Sequence, residues 1–117
     1  MIKEALFVYG TLKPNCENEH VLKEIEGKFT KAMLKGFTFD DEWQKQTGYP
    51  GIRETNLSSE VKGFLFTSTN LINNWKVLDK FETEAYHRIN VPVILTDKSI
   101  VNAYVYTINN NFDICKF

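Results

Sequence analysis

Residues Ala5-Leu6-Phe7-Val8-Tyr9 form an unbroken apolar run that stops at Gly10. The run is short, wholly apolar and free of period-two polarity. It predicts a strand buried on both faces, at the centre of a sheet or barrel. Such a strand needs a sizeable core around it, and the composition allows one. The chain has 117 residues, 43% of them apolar and 14% aromatic, which suits a single domain with one compact core.

Charge narrows the class of partner. Fourteen basic side chains stand against fifteen acidic ones, for a formal charge of -1. That balance gives no electrostatic footprint for nucleic acid or for an anionic membrane surface. No apolar stretch approaches the ~20 residues of a bilayer-crossing helix, and the Ala5–Tyr9 run is too short for a signal-peptide core. The chain therefore reads as cytoplasmic. Cys16 and Cys115 lack a C-x-x-C or Cys/His spacing and read as two free thiols, with a disulfide between them as the unsupported alternative. With only His20 and His87 as histidines, no metal site is expected.

Along the chain, Gly10 to Asn15 reads as a loop. Glu17 to Ile25 reads as a short surface helix with Val21, Leu22 and Ile25 on one side. Lys28 to Asp40 predicts two strands, or one bent strand, around Gly36. Asp41 to Tyr49 reads as polar and irregular, followed by a turn at Pro50-Gly51. Glu60 to Ser68 reads as a strand interrupted at Gly63. A helix capped by Thr69 or Asn70 carries Leu71, Trp75 and Leu78 as a stripe down to Phe81. Ile89, Val91, Val93 and Leu95 then alternate along a strand. A turn at Thr96–Ser99 leads into Ile100–Thr107, which makes an antiparallel hairpin. Pro92 demotes the first hairpin strand to a sheet edge or a bulge. The sum is an α+β domain over residues 1–108, with a polar tail over 109–117 that holds Asn109-Asn110-Asn111, Phe112, Cys115 and Phe117.

One residue breaks the hydrophobic pattern. At 100° per residue from Leu71, Trp75 falls at about 40°, Leu78 at about 340° and Glu82 at about 20°. A glutamate in the core-facing stripe is paired, protonated or lining a cavity. Partial burial would raise its pKa towards that of a general base working near neutrality. The competing reading ends the helix before Phe81 and leaves Glu82 in solvent. A second signal is Tyr9-Gly10-Thr11-Leu12, where a glycine directly after a buried strand allows a ligand to approach bare backbone. Successive N–H groups there can cradle a carboxylate or an oxyanion; the plain alternative is an ordinary turn.

These residues resemble a known family. Phe7-Val8-Tyr9-Gly10-Thr11-Leu12-Lys13-Pro14 is similar to the N-terminal signature of the gamma-glutamylcyclotransferase-like proteins, particularly the gamma-glutamylamine cyclotransferase branch. Tyr49-Pro50-Gly51-Ile52, Val61 to Phe66, Leu78 to Glu82 with Tyr86-His87-Arg88, and Val101 to Tyr106 resemble its later elements, in order. The resemblance implies a small mixed β-barrel flanked by helices. It also implies a reaction in which the α-amine of a γ-glutamyl group attacks its own side-chain amide, releasing 5-oxoproline and a free amine. Glu82 would be the base, and Tyr9, Gly10, Thr11 and Leu12 would hold the glutamyl group. No cofactor and no metal would be required. The family usually has glycine after that glutamate, where this chain has Thr83, with Glu84 following.

Tyr86 and Arg88 are further candidates, as an aromatic wall and an anion partner for the substrate; the alternative is packing and solvation at a strand start. Cys16 and His20, four apart, lack the orienting group that a thiol nucleophile needs. Trp43 and Trp75 read as packing residues, and His87 as exposed or locally hydrogen-bonded. The expected partner is a small γ-glutamyl compound. Two rival readings keep the fold: a binding module without turnover, and an enzyme using Glu82 as acid or base on another amide.

Overall fold

A computed structural model describes residues 3–112. Its strands are β1 (Glu4–Val8), β2 (Lys28–Lys35), β3 (Phe37–Phe39), β4 (Ile52–Glu54), β5 (Glu60–Ser68), β6 (Tyr86–Leu95) and β7 (Ile100–Ile108). The α-helices are α1 (Glu19–Ile25), α2 (Asp41–Thr47) and α3 (Trp75–Glu82). Five strands close a barrel in the order β1-β5-β2-β6-β7, while β3 and β4 pair as a separate ribbon. β1 runs antiparallel to β5 and parallel to β7, which makes the barrel mixed. This is the α+β barrel flanked by helices that was expected.

The apolar run at the start explains the layout. Ala5, Phe7 and Tyr9 join the barrel interior with Leu34, Val61 and Val105. Leu6 and Val8 point the other way, into a second core with Leu22 of α1 and Leu78 of α3. Each large apolar side chain buried in this way contributes about 1.5–3 kcal/mol. Both faces of β1 are thus covered, as its composition demands. Gly63 does not interrupt β5: a Cβ there would lie 2.3 Å from the Val8 carbonyl oxygen, so glycine is what lets β1 and β5 approach. Pro92 pairs with Asn102 of β7, whereas β6 meets β2 only at Leu95 and Ile94. The proline therefore stands where β6 lacks a β2 partner, as its missing N–H requires.

Two local expectations are corrected. Residues 41–47 are helical rather than irregular, because both ends of α2 are capped. The Asp40 carboxylate accepts the Trp43 N–H at 3.0 Å, and Gly48 closes the helix at φ +79°. The later helix is broken: Leu71–Asn73 form a 3-10 turn, and α3 begins only at Trp75. Asparagines cause the break by bonding to backbone. Asn74 donates its side-chain N–H to the Asn70 carbonyl at 2.8 Å, and Asn70 donates to the Ile25 carbonyl at 2.7 Å. At its far end α3 does include Phe81 and Glu82. Within the expected tail, Asn109 donates its N–H to the Ala85 carbonyl and Phe112 packs edge-on against Trp43. The part from 113 to 117, with Cys115 and Phe117, lies outside the described residues.

Candidate active site

Where β1 ends, the chain turns across the mouth of a cleft of about 470 Å³. Tyr9, Gly10, Thr11 and Leu12 all line it. The turn is held from behind, where Asn18 donates its N–H to the Thr11 carbonyl at 2.8 Å and its side-chain amide to Thr11 Oγ1 at 2.9 Å. Among the described residues, the N–H groups of Gly10, Thr11 and Leu12 have no acceptor. Space is tight at Gly10, where a Cβ would sit 3.1 Å from Pro50 Cγ, also on the cleft wall.

Glu82 enters the same cleft from the last turn of α3. It lies one turn beyond the fully buried Leu78, on the same helix face, as the spacing required. Burial raises its pKa from 4.5 to about 7. No hydrogen bond or ion pair reaches its carboxylate among the described residues. The aromatic neighbours account for this isolation. Tyr9, Tyr86 and Tyr106 share the cleft, but each hydroxyl donates elsewhere. Tyr9 donates to the Tyr106 carbonyl at 2.6 Å, Tyr86 to the Pro50 carbonyl at 2.8 Å, and Tyr106 to Asp79 Oδ1 at 2.7 Å. Burial raises all three phenol pKa values, and the Glu82 charge adds to each shift. The tyrosines thus form a neutral wall around an acid that they do not satisfy.

Such a cleft can hold an anionic group on unpaired backbone N–H donors while a carboxylate takes a proton near neutral pH. Among the described residues, no cluster of three His, Cys, Asp or Glu side chains could hold a metal ion.

The sequence candidates divide. Glu82, Tyr9, Gly10, Thr11, Leu12 and Tyr86 come together in the cleft, but Arg88 does not. Its guanidinium pairs with Asp79 at 3.2 Å and lies 4.3 Å over the Trp75 ring. Arg88 thus braces α3 against the barrel wall and does not line the cleft. Sequence reading missed Tyr106 and Asn18. Tyr106 was within reach, because the alternation of β7 turns it away from the barrel interior, onto the side α3 covers. Trp43 was read as packing and is buried, but its Nε1 also donates to the Tyr86 hydroxyl at 3.1 Å, so α2 helps aim that ring. Finding this required the helix that composition concealed. Thr83 ends α3 at φ +66° and ψ -175°, a conformation almost confined to glycine. It too lines the cleft.

Comparison with known proteins agrees with this architecture. A family model described as "Gamma-glutamyl cyclotransferase, AIG2-like" matches residues 6–116. A solution structure from Arabidopsis thaliana superposes with a TM-score of 0.71 at 26% identity, over 97% of this chain and 66% of that one. YkqA from Bacillus subtilis gives 0.70 at 28% identity, over 92% of this chain and 36% of that chain. An AIG2-like protein from Mus musculus gives 0.70 at 20% identity, over 97% and 81%, a likeness of fold alone. The chain thus spans less than two thirds of the Arabidopsis protein and about a third of YkqA. A search of curated proteins finds no match. With its family model matched from β1 to beyond β7, the chain belongs to the gamma-glutamyl cyclotransferase, AIG2-like family.

Proposed function

We propose that this chain cleaves γ-glutamyl amides of small amines by cyclisation, as in the gamma-glutamylamine cyclotransferase branch. The substrate's glutamyl carboxylate rests on the N–H groups of Gly10, Thr11 and Leu12, with the Tyr9 and Tyr86 rings against its carbon chain. Glu82 takes a proton from the α-ammonium. The freed amine attacks the side-chain carbonyl carbon, a new C–N bond closes the five-membered ring, and oxygen carries the charge. As the carbonyl re-forms, the old C–N bond breaks and the departing nitrogen receives the proton held by Glu82. The carboxylate so regenerated relays the second proton from the ring nitrogen to the released amine, which leaves as its ammonium. The products are 5-oxoproline and a free amine. Atoms and charge balance without a protein nucleophile or a cofactor.

The economy of the site suits this chemistry. Nucleophile and electrophile belong to one molecule, and good orientation is worth an effective molarity of ~10⁵ M or more. What remains for the protein is a cavity that folds the substrate back, a base and donors for the oxyanion. The observation that carries the reading is Glu82: a half-buried acid in the cleft, unpaired among the described residues, with a pKa raised to about 7. A cytoplasmic setting belongs to the same proposal; among the described residues no helix is long and apolar enough to cross a membrane.

The test is release of 5-oxoproline from a panel of γ-glutamyl amines by the native chain and by Glu82→Gln. Turnover by the native chain and its loss by at least a hundredfold in the variant are expected. Equal turnover in both would remove Glu82 from the reaction. Binding without turnover in the native chain would instead make this a binding module. Turnover of another amide alone, dependent on Glu82, would replace the cyclisation by different acid–base chemistry.

A further inference from the structure

A second concavity, of about 590 Å³, lies on the outer face of β2, β5 and β6, and shares no lining residue with the cleft that holds Glu82. Its floor includes Met33, Phe64, Ile94 and Leu95, all only partly buried. Register places the first three together: Met33 pairs with Ile94 across β2 and β6, and Phe64 lies beside Lys31 across β2 and β5. The helices that cover Phe66 and Leu6 leave this part of the sheet open.

Four lysines surround that floor. Lys31 and Lys62 rise from β2 and β5, Lys13 comes from the loop after β1, and Lys98 from the turn between β6 and β7. No Asp or Glu lines the concavity, and none of the four is ion-paired among the described residues. Two of them sit on fixed turns. The Lys98 N–H bonds to the Leu95 carbonyl at 2.9 Å, and the Lys13 N–H to the Gly10 carbonyl at 3.2 Å. In a chain with a net charge of -1, gathering four unpaired cations around an apolar floor is a local concentration of positive potential.

We propose that this concavity binds an amphiphile with one anionic head and an apolar body. The volume falls within the range of small-molecule sites, and the floor offers contact to a hydrocarbon chain. The lysine stems extend that surface, while their ammonium groups meet the head. A peptide strand fits less well, because β2 and β5 are paired with each other along eight positions and present no free edge between them for strand addition. The site also borders the catalytic loop: Leu12 lines the cleft with Glu82, and its neighbour Lys13 lines the lysine-rimmed concavity. An occupant engaging Lys13 therefore bears on the segment that cradles the substrate.

The test uses decanoate, decanol and decyltrimethylammonium, all kept monomeric, titrated into the intact chain while the Met33 and Ile94 methyl resonances are followed. Saturable shifts with decanoate, and at least tenfold weaker binding of the neutral and cationic analogues, are expected. The Lys31→Glu/Lys62→Glu variant should weaken decanoate at least tenfold. The milder Lys31→Ala/Lys62→Ala pair provides the same reading if the reversal impairs folding. Sedimentation with phosphatidylglycerol vesicles but not phosphatidylcholine vesicles, lost in the variants, would assign the same chemistry to a lipid headgroup. The proposal is overturned if the cationic analogue binds as well as decanoate, if the variants bind unchanged, or if a hexaglutamate peptide binds where decanoate does not.

Discussion

Thr83 occupies a backbone conformation that glycine adopts freely and a β-branched residue adopts at a cost, φ +66° with ψ -175°. Replacing it by glycine removes a strain of roughly 1–3 kcal/mol. Against this stands the greater chain entropy of unfolded glycine, roughly 0.5–1 kcal/mol. The substitution also removes a long 3.3 Å hydrogen bond from the Ala85 N–H to Thr83 Oγ1. Thr83 is exposed, so water replaces that bond at little cost. The net expectation for Thr83→Gly is stabilisation of about 1 kcal/mol, or roughly 4 °C in Tm for a domain of this size. Thr83→Ala keeps the Cβ and most of the strain and should be neutral or slightly destabilised. Parallel urea and thermal melts at pH 7 decide the matter. If glycine and alanine shift stability equally, or glycine lowers it, the end of α3 is not strained in the way described.

Other expectations follow from the same geometry. Because burial holds Glu82 near pKa 7 in the folded chain against 4.5 unfolded, the folded state keeps a proton that the unfolded state loses. Stability should therefore fall as pH rises from 4.5 through 7, by about 3 kcal/mol in total. Glu82→Gln should match the native chain in urea melts at pH 4 and exceed it by up to that amount at pH 8. A difference independent of pH would contradict the burial of the charge. Gly63→Ala forces a Cβ against the Val8 carbonyl and should cost about 1–3 kcal/mol. A neutral result in a thermal melt would mean that β1 and β5 are not in such close contact. Arg88→Ala loses the Asp79 pair and the stack on Trp75 and should cost about 1 kcal/mol. The KM for any γ-glutamyl substrate should change less than twofold; a tenfold rise would return Arg88 to the site.

The legible part of this molecule was the part written in periodicity. The Ala5–Tyr9 run announced a strand covered on both sides, and the alternation from Ile89 to Leu95 and from Val101 to Val105 announced the hairpin. Glu82 stood out because Leu78 and Glu82 share a helix face, a relation that survived the break at Asn74. What composition hid was set by side-chain-to-backbone bonds. Asp40 and Gly48 cap a helix made of polar residues, and asparagines at 70 and 74 divert the chain into a 3-10 turn. Arg88 was misplaced for a different reason. A strand-start arginine has several acceptors in reach, and only the fold brings Asp79 and Trp75 beside it. The tyrosine wall was equally out of sight, since Tyr9 just past β1, Tyr86 at the start of β6 and Tyr106 in β7 meet only when the barrel closes.

The central claim concerns one carboxyl group, and carbon-13 NMR can observe it directly. With glutamate side chains labelled at the carboxyl carbon and the signal assigned through Glu82→Gln, a titration from pH 3 to pH 9 should show this carbon changing with a midpoint near 7. A midpoint near the ordinary glutamate value of 4.5 would mean that Glu82 is solvated in the folded chain, and that the proposed base is absent.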